Sequence, residues 1–369
     1  MRNWIVAAGV CGLLSAGRAA AAPDAARPAV DLVFAIDTTG SMGGLIEGAK
    51  AKVWAIANEV MQGRPAPRLR MGLVAYRDKG DAYVAKAFEL SENLDAMYAE
   101  LLALRAEGGG DGPEHVIAGL EQAVEKLSWS RDPRALKVVF LVGDAPPHED
   151  YPEAPKLDAV LHAAMLRGIR VNAVQCGDWA QTSEAWRRIA RLGEGRYLAI
   201  PQDGGVVARP TPFDERIAAL SSRLEASRLA WGEGRKKAED EMALSSRVGG
   251  MLAGAAAAPA AAERALFKAR EGFGTAGDLA EAVEGKTVSL DAVKDADLPE
   301  ELRPLAPAAR RARIDRILAE RRGLKKEVAK LQARRARFLA EEGPRKADAF
   351  DARLVETLKR QAAKAGIAY

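Results

Sequence analysis

The sequence predicts an α/β protein: a doubly wound, mostly parallel sheet followed by an all-α C-terminal extension. Three observations carry this expectation. Between about Val30 and Pro201, short apolar runs alternate with helix-patterned segments, the order in which crossover helices link parallel strands. Runs such as "VVFLV" (138–142) are apolar at successive positions, which suits a strand covered by helices on both faces. Beyond Phe213 the strand signal fades and helical patterning takes over.

Taken in order, the strands are expected at 31–36, 70–76 ("RMGLVAY"), 82–88 ("AYVAKAF"), 136–142 ("LKVVFLV"), 169–175 ("IRVNAVQ") and 196–200 ("RYLAI"). The second and third are separated only by "RDKGD", so they read as a hairpin that adds one antiparallel strand at an edge. Helices are expected at 43–62, 92–105, 113–127, 155–167 and 182–193, with Pro113 near a helix start, where its fixed φ is tolerated. "PQDGGVVARPTP" reads as a linker by its Gly and Pro content. Helical patterns then cover 212–244, 260–284, 306–341 and 346–364, and the Ala/Gly-rich "VGGMLAGAAAAPAAA" reads as a hinge or a frayed helix end. In 306–341, Ile317, Leu324, Leu331 and Phe338 fall on one heptad position, while Ile314, Arg321, Val328 and Arg335 fall on another. This half-polar seam implies a short coiled coil or a helical hairpin, and its two arginines favour packing within the chain over a free-standing dimer.

At 369 residues the chain is long for one core. The division expected is a signal peptide at 1–21, an α/β domain at 29–205 and a helical region at 206–369. The N-terminal "MRNWIVAAGVCGLLSAGRAAAAPD" has a basic start, an apolar run too short to span a membrane and a small-residue cleavage site. Export, to a periplasm or the exterior, follows as an expectation. Cleavage after Ala21 would leave Cys176 as the one cysteine, so no internal disulfide is expected. No other run reaches transmembrane length. The net charge of +4 and the absence of basic segments interleaved with aromatics give no nucleic-acid signature.

The chemistry is expected where the strands end, because open parallel sheets bind ligands beyond their carboxyl edge. The first strand ends in Asp37, and Thr39 and Ser41 follow two and four residues later. One carboxylate and two hydroxyls are hard oxygen donors, suited to Mg²⁺ (or Mn²⁺ or Ca²⁺) and not to the sulfur and nitrogen preference of Zn²⁺. Two further loops are candidates to complete the shell: "EGGGDGPEH", with Asp111 after three glycines, and "GDAPPH", where Asp144 leaves the apolar fourth strand. The competing explanation, a helix N-cap at Thr39 or Ser41, accounts for one hydroxyl but not for the repeated strand-end acids.

Taken together, "VFAIDTTGSM", "GGGD" and "LVGDAPPH" resemble the von Willebrand factor A family, in the subgroup that writes its first motif DxTGSM. The likeness covers about 30–205, and "AYRDKGD" (75–81) shares it. It implies a metal-ion-dependent adhesion site in which Thr39 and Ser41 bind the cation directly and Asp37 and Asp144 act through water or at longer range. One position stays open for an acidic side chain of a protein partner. The family's second-loop threonine has no direct counterpart, and Asp111 stands nearest to its place.

An enzyme is not expected. "IDTTGS" differs from the aspartic-protease "DTGS" by an inserted threonine and has no second copy. A phosphatase of the aspartyl-phosphate kind would carry an acid where Thr39 stands, and no G-x-x-x-x-G-K-[ST] loop occurs. The alternatives to metal-dependent protein binding are therefore a metal-dependent hydrolase or phosphatase-like enzyme, and a metal-independent envelope scaffold.

Overall fold

The computed structural model describes residues 27–110, 112–202, 209–272, 277–343 and 349–369. The N-terminal leader expected at 1–21 lies outside them. A six-stranded sheet forms from β1 (Ala29–Asp37), β2 (Arg68–Tyr76), β3 (Ala85–Ser91), β4 (Leu136–Gly143), β5 (Ile169–Cys176) and β6 (Glu194–Ile200), in the order β3-β2-β1-β4-β5-β6. All neighbours are parallel except β2 and β3, which run antiparallel at one edge. The chain leaves β1 for β2 on one side and returns to β4 on the other. The strand order thus reverses between β1 and β4, and a crevice opens at their carboxyl ends.

Successive strand residues point to opposite faces, and both faces are covered. Leu32, Phe34, Ile36, Leu73 and Phe140 pack with Trp54 of α1 (Gly43–Val60) and Tyr98 of α2 (Leu94–Ala103). Val33, Ala35, Val74, Val139 and Leu141 pack with Ile117 of α3 (Val116–Glu121), Leu161 of α4 (Leu157–Leu166) and Trp186 of α5 (Ala180–Leu192). This two-sided burial explains why β1 and β4 are apolar nearly throughout.

The edge strand corrects one expectation. β3 begins at Ala85, three residues later than the 82–88 run predicts. Tyr83 is kept out of the ladder because its hydroxyl meets Thr38 Oγ1 at 2.7 Å and its ring lies under the Arg77 guanidinium at 4.6 Å. The loop is therefore longer than "RDKGD", and the register shifts between Met71 and Leu73.

The expected helical stretch 212–244 is two helices, α6 (Asp214–Ala226) and α7 (Arg235–Met251). They are followed by α8 (Ala258–Arg270), α9 (Leu279–Glu284), α10 (Pro307–Glu342) and α11 (Ala349–Lys364). This region is packed onto the sheet unit. Val248, Leu252, Phe267, Leu354, Leu358 and Ile367 belong to the same apolar cluster as the sheet face under α1. Phe267 lies 5.6 Å from Trp54, ring to ring, and Asn172 of β5 and Gln361 of α11 exchange amide bonds of 2.9 and 3.2 Å. A buried ion cluster ties the same contact: Arg264 of α8 reaches Asp95 of α2 at 2.7 Å and Glu225 of α6 at 2.8 Å.

The heptad seam of α10 faces its own chain. Ile314 and Ile317 pack with Leu279 and Leu302, and Leu324 and Val328 pack with Leu220 and Leu224. The two seam arginines are buried with acids: Arg321 with Asp278 at 2.9 Å, and Arg335 with Asp214 and Glu263, each at 2.7 Å. Those partners explain how a core-facing position holds a guanidinium.

Candidate functional site at the carboxyl edge of the sheet

Asp37 is the last residue of β1 and is fully buried. Its Oδ1 accepts from the Thr39 amide at 2.9 Å and from the Thr39 hydroxyl at 2.7 Å. Because that hydroxyl donates its proton to Asp37, its oxygen lone pairs remain available to a cation. The other oxygen of Asp37, Oδ2, is buried without a hydrogen-bond partner. Thr38 turns the other way, and its hydroxyl donates to Tyr76 O at 2.9 Å. The first loop threonine, Thr38, therefore serves the hairpin, and the second, Thr39, serves the site. Ser41 is exposed at the mouth.

Asp144 follows β4 directly, and its backbone carbonyl accepts from Thr182 of α5 at 2.9 Å. Gly143 lets the two strand ends approach. A Cβ there would lie 2.5 Å from the Tyr76 hydroxyl and 3.1 Å from Asp37 Cβ. The Asp144 carboxylate accepts from Gln202 Nε2 at 2.6 Å, so the residue just past β6 also reaches the site.

The glycine loop closes the third side. Gly108 and Gly109 hold φ of +82° and +79°, the left-handed region that glycine occupies without strain. This fold brings Gly108 O to the Gly40 amide at 3.1 Å and the Glu107 amide to Thr38 O at 3.0 Å. Asp111 lies outside the described residues. Among the described residues the acid that this loop brings to the site is Glu114, which the sequence reading passed over. Its amide donates to Pro146 O and its carbonyl accepts from the His148 amide, both at 3.0 Å, a bridge that locks it to the loop after β4. Its side chain is 4% exposed, and Oε2 has no hydrogen-bond partner. Glu114 Oε1 and Thr39 Cβ flank the same glycine, lying 3.1 and 3.3 Å from where a Gly109 Cβ would sit.

The electrostatics follow from this crowding. Burial pushes the Asp37 carboxyl up to about 7; the Asp144 charge adds to the rise, and the Thr39 bonds and Arg77 charge oppose it. Burial, reinforced by Asp37 and Asp78, pushes Glu114 up to about 9, with the neighbouring Thr39 opposing the rise. Several acids thus crowd the inner end of the crevice, and their mutual repulsion would be relieved by a proton or by a cation.

The residues fit a hard divalent ion. Two buried carboxylate oxygens lack partners, and hydroxyl oxygens of Thr39 and Ser41 stand in the same loop. Among the described residues, no three Asp, Glu, His or Cys side chains form a metal cage by themselves. Any direct shell here would therefore draw on hydroxyls and water as well as carboxylates.

The remaining polar candidates have other work. Arg77 is buried and donates to Arg105 O at 2.8 Å. His148 is buried, pairs through Nδ1 with Asp150 at 2.8 Å and stacks on Tyr151 at 4.3 Å. His115 Nδ1 accepts from the Ala118 amide and caps α3. Cys176 is buried, and burial pushes its thiol well up, as for a packed and unreactive residue.

Fold and site together define a doubly wound domain with an oxygen-donor loop at its switch point. Residues 31–202 match the family model of the von Willebrand factor A domain, and this part of the chain is such a domain. The mouse von Willebrand factor A domain-containing protein 7 is 35% identical over 197 residues, 52% of this chain and 20% of that protein. The Dictyostelium discoideum alpha-protein kinase vwkA is 30% identical over 120 residues, 32% of this chain and 19% of that one. The chain therefore spans about a fifth of these relatives' length. Among solved structures, a proximal thread matrix protein from the mussel byssus with a zinc-occupied MIDAS motif aligns with a TM-score of 0.38 and 18% identity. That alignment covers 48% of this chain and 43% of the byssus protein. No helix among the described residues is long and apolar enough to cross a membrane.

Proposed function

We propose that this chain is an exported protein that binds a divalent cation at the β1–β4 crevice and uses the site to hold a protein partner, without turning over a substrate. The observation that carries the reading is the pair of buried, partnerless oxygens, Asp37 Oδ2 and Glu114 Oε2, on two acids that both neighbour Thr39. A buried carboxylate oxygen without a donor is costly, and a cation is the simplest group that would complete both.

In this reading Thr39 and Ser41 supply hydroxyl oxygens, Asp111 stands nearest to the place of the family's second-loop threonine, and Glu114 adds a buried carboxylate beside Thr39. Asp37 orients Thr39 by accepting its hydroxyl proton, and Asp144 holds negative charge at the rim. Bound there, the ion would supply Lewis acidity toward an incoming oxygen donor, the acidic side chain of a partner being the simplest. Glu114 adds a charge that a threonine would not, so it favours metal retention over the pull on an acidic ligand. Mg²⁺ fits the oxygen donors, with Mn²⁺ and Ca²⁺ as alternatives. The helical region packs against α1 and α2, and among the described residues none of its side chains lines the crevice.

The test is calorimetric titration of Mg²⁺, Mn²⁺ and Ca²⁺ into the folded protein beside Asp37→Asn and Glu114→Gln. Saturable binding by the wild type that both variants lose, with their circular dichroism unchanged, supports the site. Wild-type binding that survives in both variants would overturn it.

A further inference from the structure

A second feature shares the mouth of the crevice. A cleft of about 480 Å³ lies beside the first loop, lined by Ser41, Gly112, Glu114, Asp144, Asp178 and Trp179 among others. Three of its residues are acids, and no lysine or arginine lines it among the described residues. Glu114 is the buried acid whose Oε2 lacks a partner.

Trp179 forms one wall and is 40% exposed, an unusual position for so large an apolar side chain beside acids. It is also held in place. Its carbonyl accepts from Gln175 Nε2 at 3.0 Å and from Ser183 Oγ at 3.2 Å. Its ring packs on the backbone of Gly112, where an added Cβ would meet the indole at 2.6 Å. Elsewhere this chain covers its surface rings with its own cations: Lys86 over Tyr83 at 4.3 Å, Arg187 over Tyr197 at 4.7 Å and Arg334 over Phe213 at 4.7 Å. Among the described residues none lies over Trp179, and Asp178 next to it is exposed and forms no ion pair.

We propose that this cleft takes an arginine side chain of a protein partner, its guanidinium over the Trp179 indole and paired with Asp178. The charge pattern selects a cation, and the indole selects a flat one. A guanidinium stacks on an aromatic face and bonds a carboxylate in one plane, whereas an ammonium is a compact, strongly hydrated charge. The cleft shares Ser41, Glu114 and Asp144 with the proposed metal position, whereas the two residues assigned to the guanidinium, Asp178 and Trp179, stand outside that loop set. Together the two positions would read an acidic and a basic side chain on one partner surface.

The experiment follows the indole N–H signal of Trp179, assigned from its loss in Trp179→Phe, in ¹⁵N-labelled full-length protein. Acetyl-arginine methylamide is titrated against its neutral isostere, acetyl-citrulline methylamide, with and without Mg²⁺. The expected result is a saturable shift with arginine alone, weakened about fivefold in Asp178→Asn, as for an exposed cation–π contact backed by one carboxylate. Asp178 is exposed, so the variant folds, and a Mg²⁺ titration of the same variant separates failure of this idea from failure of the metal site. Equal shifts with citrulline, no shift at all, or an arginine response unchanged in Asp178→Asn would each overturn the proposal. So would arginine binding that Mg²⁺ abolishes, since it would put the guanidinium on the metal's own carboxylates.

Discussion

Replacing Arg264 by methionine should destabilise the whole chain, because this one side chain neutralises two buried acids from different parts of the fold. Arg264 is 4% exposed and makes a two-pronged contact with Asp95 of α2, Nε–Oδ1 2.7 Å and Nη2–Oδ2 2.9 Å. A second fork reaches Glu225 of α6 at 2.8 Å on each prong, and Ser245 Oγ of α7 lies 2.7 Å away. Burial would lower the Arg264 pKa, but the two carboxylates outweigh it and hold the guanidinium charged. Methionine fills most of the volume and removes the charge. Removing one partner of a buried pair typically costs about 3–5 kcal/mol, mainly through the stranded charge. Lys268 still reaches Asp95 at 2.5 Å, so the lower end, about 3 kcal/mol, is expected. Urea denaturation read by tryptophan fluorescence measures it, and Trp54 reports on the same packing through its contact with Phe267. The triple variant Asp95→Asn, Glu225→Gln, Arg264→Met should recover part of the loss, since it removes both stranded carboxylates and leaves only the partly exposed Lys268 without its Asp95 partner. A loss below about 1 kcal/mol in Arg264→Met, or a triple variant no more stable than the single one, would refute stranded charge as the cause.

Three further outcomes are expected. Thr39→Val removes the hydroxyl that donates to Asp37, and should cost about 1 kcal/mol in unfolding and at least about tenfold in divalent-cation affinity by calorimetry. Gly143→Ala places a methyl 2.5 Å from the Tyr76 hydroxyl, and should lower stability by about 1–3 kcal/mol while spreading Asp37 from Asp144, so thermal melting and metal titration fall together. Burial opposes ionisation of Asp95, but Arg264 and Lys268 outweigh it and hold its pKa below the usual carboxylate value. Its stabilisation is therefore full above the unfolded value near 3.9 and is lost as pH falls through the lower folded value. Denaturation midpoints measured down through pH 4 should show an acid limb that is shallower in Asp95→Asn.

The elements most legible in the sequence were those whose signal is local. β1 and β4 are buried on both faces, so an unbroken apolar run marks each, and an acid that closes such a run marks the sheet's edge. Asp37 and Asp144 were found that way, and Gly143 at the crowded contact between them has the same origin. Thr39 and Ser41 followed from the fixed spacing of a short loop. The 36-residue α10 was also legible, because its seam repeats over five turns or more, and the two arginines on that seam foretold partners within the chain.

Other decisions were made only by the tertiary structure. Glu114 sits just after Pro113, where an acid reads as an ordinary helix-start residue. Its position beside Thr39 arises because Gly108 and Gly109 fold the loop over that residue and because a backbone bridge joins it to Pro147. The edge strand starts late because Tyr83 bonds to Thr38, 45 residues earlier. Helix periodicity shows that Phe267 and Leu358 are buried but not against what, and the answer was the sheet face under α1. The sequence by itself determined what each segment would form and which strand ends would carry oxygen donors, since those properties depend on neighbours within a turn or a strand. That Glu114 lies beside Thr39, and which surface the helices cover, depends on side chains distant in the chain, and only the packed molecule brings them together.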